Sequence, residues 1–132
     1  MRIAPFFTIA IVGFSVTDCL ASDVRILSLP ESVQGTWAPS AGACNGSGPE
    51  KLSIAPKQHS TADANCEIAW ITVTASREGP VYSARSNCAR TTGGSKEAPS
   101  YFVVSPRPDN KLAVRMPEAA EGSDMVTYQK CP

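Results

Sequence analysis

Clusters of turn-forming residues recur along this chain about every ten residues, and few folds accommodate that rhythm. Gly46-Ser47-Gly48-Pro49, Glu78-Gly79-Pro80, Gly93-Gly94-Ser95 and Pro108-Asp109-Asn110 separate runs too short for stable isolated helices. Strands are expected at 33–38, 51–56, 66–75, 81–88, 101–105, 111–116 and 125–131. The third is the strongest, because Cys66-Glu67-Ile68-Ala69-Trp70-Ile71-Thr72-Val73-Thr74-Ala75 is dense in β-branched and aromatic residues. Both of its alternating faces carry apolar side chains, so cover on both sides is expected. One helical turn is allowed at 28–34, with Pro30 suited to its first position. Strands of this number and spacing point to an all-β domain, a sandwich or a small antiparallel up-and-down barrel of seven to eight strands.

The first segment reads as an address. Arg2 precedes an apolar run from Ile3 to Val16, followed by polar and small residues, the layout of a secretory signal peptide. Residues 1–21 are assigned to that leader and 22–132 to one β domain. The run is short and interrupted for a membrane span, and an integral membrane protein is not expected. Asp18 stands where a lipidation signal at Cys19 would want a small residue. A periplasmic or secreted location follows.

Export changes the cysteine arithmetic. The full chain has five cysteines, and loss of Cys19 leaves Cys44, Cys66, Cys88 and Cys131. An even number in a small exported domain implies two disulfides, and without a Cys-x-x-Cys pair a zinc site is not expected. In an up-and-down meander the third strand begins, and the fourth ends, at one rim. Cys66 and Cys88 hold those positions, so Cys66–Cys88 and Cys44–Cys131 are the preferred pairs, the second fastening the barrel seam. Cys44–Cys66 with Cys88–Cys131 is the rival; spacing leaves three connectivities open.

Gly35-Thr36-Trp37 opens the first strand after a short polar segment. This resembles the Gly-x-Trp signature of lipocalin-like (calycin) barrels. The resemblance implies that Gly35 permits a close backbone approach and that Trp37 plugs the barrel floor beneath a basic side chain of the last strand. Lys130, in Tyr128-Gln129-Lys130-Cys131, is the matching candidate. The upstream stretch from Ser22 through Val24-Arg25-Ile26 to Trp37 looks like the mature start of the bacterial alkaline metalloproteinase inhibitors. Pro106-Arg107-Pro108-Asp109-Asn110 similarly resembles that family's Pro-x-Pro-Asp-Gly turn. The match covers about a third of the mature chain. It departs in having four cysteines rather than two, and Val104-Ser105 where the family has a tryptophan before that turn.

The resemblance implies a proteinase-inhibitor-like barrel of the cell envelope. Its binding arm would be Ser22, Asp23, Val24, Arg25 and Ile26, and its partner an extracellular or periplasmic metalloproteinase. The alternatives are a small-ligand carrier with an open lumen, and a structural or interaction protein of the periplasm.

Catalysis finds little footing in the residues. His59 is the chain's one histidine, in the polar run Lys57-Gln58-His59-Ser60, and reads as a solvated loop residue. Gly-x-Ser-x-Gly is absent, Glu118 and Glu121 read as a solvated connection, and Gly93-Gly94-Ser95-Lys96 as a flexible one. Asn45-Gly46-Ser47 matches a glycosylation acceptor and a plain turn alike. No catalytic residue, cofactor or metal is assigned. Lys and Arg total 12 against 12 Asp and Glu, and the cations form no stripe in sequence, so nucleic acid is not expected as a partner. Trp70, Tyr82, Tyr101 and Phe102 read as core.

Overall fold

The computed structural model describes residues 24–46, 50–90, 98–117 and 124–132. The assigned leader, Ser22 and Asp23, the glycine connection at 93–96 and the Glu118/Glu121 segment lie outside the described residues. So does Ser47 of the glycosylation acceptor.

The chain forms β1 (Val24–Ile26), β2 (Gly35–Ala38), β3 (Leu52–Ala55), β4 (Gln58–Ser60) and β5 (Ala64–Ser76). It continues with β6 (Gly79–Arg90), β7 (Ala98–Arg107), β8 (Lys111–Arg115) and β9 (Val126–Lys130). A 3₁₀ turn at Glu31–Val33 follows Pro30, and the short helix α1 (Ala41–Cys44) follows β2. Pro30 thus caps the observed turn from just before it rather than filling its first position.

Strands β2 to β9 pair with their chain neighbours, every ladder antiparallel, and β9 returns to β2. Eight strands therefore close into an up-and-down barrel. The ninth, β1, lies outside that circuit on β5, with Val24 opposite Val73 and Ile26 opposite Ile71. It continues the line of β4, which pairs with the earlier part of β5 from Asn65 to Glu67.

Alternation fills the inside. Leu52 and Ile54 of β3, Phe102 and Val104 of β7, and Leu112 and Val114 of β8 all point inward and are buried. Period-2 patterning fails at one place: the β5–β6 register shifts between Ile68 and Trp70. This bulge sets Ile68 and Ile71, opposite Ser86 and Ala84, on the core side and leaves Trp70 opposite Arg85. Trp70 and Tyr101, expected in the core, are instead partly and substantially exposed, the latter at 49 %. Tyr82 and Phe102 do join the core.

Both disulfides are the preferred pairs. Cys66 and Cys88 are directly opposite in the β5–β6 ladder, with Cα atoms 4.0 Å apart. Cys44 and Cys131 are joined at a Cα separation of 5.5 Å. The route to the second differs from the expected shared rim. β4 adds a strand between the first connection and the last strand, so β2 exits at one rim and β9 ends at the other. The pair still meets, because α1 packs back against β2 and the Cys131 N–H donates to the Thr36 carbonyl at 2.8 Å. The bond fastens the seam where Trp37 faces Lys130 and Ala38 faces Gln129.

Candidate functional site

Three places on the barrel bring chemistry-bearing side chains together: the floor, the inner face near Cys66–Cys88, and the outer wall crossed by β1, β5, β6 and β7.

At the floor, the segment between β1 and β2 crosses beneath the strands. Leu29 and Val33 insert from it at 1 % and 0 % exposure, and the Leu29 N–H donates to the Pro56 carbonyl at 2.8 Å. Trp37 rests on this plug, its Nε1–H donating to the Val33 carbonyl at 3.0 Å. Lys130 Nζ stands 5.6 Å from the Trp37 ring centroid, within cation–π range. Gly35 begins β2 at φ 117°, and a Cβ there would lie 3.2 Å from Lys130 Cε. Backbone conformation and close approach therefore both call for glycine at this position. Neighbouring turns are tied by the ion pair Arg107–Glu78 at 2.8 Å.

The inner face holds the least expected feature. His59 lies on β4, not in a solvated loop, and is 2 % exposed. Pro56-Lys57 links β3 to β4 without the Asn-Gly or Gly-x signature of a tight hairpin, so the polar triplet after it reads as loop. In the barrel, His59 is opposite Ile54 on one side and Cys66 on the other, hence on the core side. Its ring stacks on Phe102 at a centroid distance of 4.0 Å and an interplanar angle of 17°. Nε2 shares a hydrogen bond of 2.9 Å with Ser86 Oγ. Burial pushes the imidazole pKa down to about 4, so it is neutral at pH 7. A small hollow lined by His59, Thr61, Ala64, Cys66, Met116 and Pro117 opens beside it.

Two chemistries are suggested by this cluster, and neither is well served. His59, Cys66 and Cys88 offer ligand atoms within 4.8 Å of one another, but both sulfurs are spent in the disulfide and no thiolate is available to a metal. Ser86 with His59 has the contact of a nucleophile and its base, yet Ser86 is 0 % exposed and its hydroxyl faces the core. The pair satisfies two buried polar groups in the wall, which is its evident physical role.

The outer wall carries a row that the sequence did not disclose. Trp70, Arg85 and Tyr101 are successive cross-strand partners on β5, β6 and β7. Arg85 lies over the Tyr101 ring at 5.3 Å and its Nη1 donates to the Tyr101 hydroxyl at 3.1 Å. Trp70 meets Tyr101 edge to face at 6.2 Å, and Arg25 of β1 stands 4.7 Å above the Trp70 ring. Sequence gives no sign of the row because the bulge before Trp70 selects its face and the β1–β5 register brings in Arg25.

Of the expected binding arm, Val24, Arg25 and Ile26 are thus a strand held on the barrel. Ile26 packs against the core, while Val24 is 60 % exposed and the following Leu27 81 % exposed. The second edge of β1 has no strand partner among the described residues. No helix among them is long and apolar enough to cross a membrane.

No protein-family model, curated protein or solved structure matches the chain.

Proposed function

We propose that the chain is an exported, non-catalytic binding protein, a barrel of the cell envelope that restrains a proteinase through the segment at the start of its mature domain. The observation that carries this reading is the state of residues 24–27. Val24, Arg25 and Ile26 are extended and ordered by pairing with β5, while Val24 and the Leu27 that follows the strand stay exposed beside a strand edge with no strand partner among the described residues. A free edge flanked by exposed apolar side chains suits strand addition within a proteinase cleft. Holding the segment on a closed barrel lowers the ordering cost of binding. The leader pattern and two disulfides support a periplasmic or secreted location. Resemblance of the stretch from Ser22 to Trp37 to the alkaline metalloproteinase inhibitors supports a metalloproteinase as the partner.

A carrier of small apolar ligands is less well supported. Trp37, Phe102, Leu112 and Val104, each at most 2 % exposed, occupy the space such a ligand would need.

Titration of a zinc metalloproteinase with residues 22–132, and with a form lacking residues 22–26, tests the proposal. The longer form is expected to inhibit and the shorter to lose at least about tenfold in affinity, roughly 1.4 kcal/mol. Equal inhibition by both overturns the segment's role, and no inhibition by the longer form overturns the function.

A further inference from the structure

The row across β1, β5, β6 and β7 is chemically distinct from the rest of the wall. Four side chains alternate in type, Arg25, Trp70, Arg85 and Tyr101, and each guanidinium lies against an aromatic ring. Stacking occupies one face of a guanidinium and leaves its in-plane N–H donors directed outward, where they match the two oxygens of a carboxylate. Arg85 commits Nη1 to the Tyr101 hydroxyl, which orients the fork without neutralising it. Neither Arg25 nor Arg85 has a carboxylate partner among the described residues, where the ion pair formed is Arg107–Glu78. Glu67 shares the outer face of β5 with Trp70, but it forms no ion pair with the row.

Two oriented cations held in place without counter-charges are a recognition surface for anions. We infer that this row binds an acidic polypeptide segment, whose carboxylates pair with Arg25 and Arg85 while its backbone and aliphatic stems lie along Trp70 and Tyr101. A neutral sugar would stack on open ring faces, and here the faces of Trp70 and Tyr101 are already shared with guanidiniums. A duplex nucleic acid would want a longer basic track than two arginines provide. The row shares Arg25 with the segment of the proteinase reading but does not rest on that reading, since an acidic segment can dock on the row with no proteinase present.

The test uses the mature chain and a fluorescein-labelled deca-glutamate peptide at low ionic strength, read by anisotropy. The expected result is saturable binding that weakens steeply with added salt and falls at least about tenfold in an Arg25→Gln/Arg85→Gln variant. Circular dichroism confirms that this variant is folded, and Arg77→Gln, on an exposed hairpin away from the row, is expected to bind as the parent does. Tyr101→Phe, which removes the hydroxyl that orients Arg85, is expected to weaken binding several-fold. Equal binding by the double variant overturns the inference, as does equal binding of a deca-glutamine peptide. So does a clear preference for anionic vesicles or for a sulfated oligosaccharide over the peptide. Because no proteinase enters the assay, failure of the inhibitor reading leaves this result untouched, and the reverse.

Discussion

His59 shows how one residue can be misread from its neighbours and still have a definite physical signature. Its burial beside Phe102 and Ser86 lowers the folded-state pKa to about 4, against 6.5 for the free group. As pH falls, the unfolded chain takes up this proton first, so the folded state loses stability between about pH 6.5 and 4. Below that window the loss approaches about 3 kcal/mol. Urea unfolding of the parent and of His59→Leu, compared across those pH values, should show the steeper acid loss in the parent. Since the chain has one histidine, its ring-proton NMR signal should titrate with a midpoint at about pH 4; a midpoint near 6.5 would place the ring in solvent. At the floor, Gly35→Ala meets both a positive φ and the Lys130 stem. It should cost about 1 to 3 kcal/mol in denaturant unfolding. Adding Lys130→Ala is expected to recover the steric part and leave the backbone part.

Among the elements, the two disulfides differ in what they restrain. Cys66–Cys88 closes a sequence separation of 22 across strands that a hairpin already pairs, whereas Cys44–Cys131 closes 87 and joins the end of α1 to the residue after the last strand. Loop-closure entropy gives about 3 kcal/mol for the first and about 4 to 5 for the second. Replacing Cys44 and Cys131 by serine should therefore lower the unfolding midpoint more than replacing Cys66 and Cys88. The reverse order would mean that the β2–β9 seam holds without its staple. Most strands were legible because their β-branched density and turn boundaries are local properties. β4 was not, since three polar residues after Pro56-Lys57 carry no strand signal and pair only because β3 and β5 flank them. β1 was expected as a free arm for a similar reason: nothing in Val24-Arg25-Ile26 announces that β5 extends far enough past β4 to receive it.

For the whole molecule, closure determines what the barrel can hold. Eight strands give an interior about wide enough for its own side chains, and Trp37, Phe102 and the aliphatic residues fill it. An apolar fluorescent fatty acid should accordingly show no saturable binding to the folded protein, and stoichiometric uptake would restore the carrier reading. Sequence on its own reached the class of fold, a preferred pairing of the half-cystines among three open ones, and the residue types at the floor. These follow from local propensity, from where the four cysteines beyond residue 21 fall against the expected strand ends, and from a short motif around Trp37. Tertiary structure alone decided which side chains share a face. The bulge at Ile68/Trp70, the added strand at His59 and the docking of β1 each shift alignment between strands distant in sequence. A shift of one residue exchanges the inside of a barrel for its outside, which is why an imidazole went to the core and a cation–aromatic row to the surface.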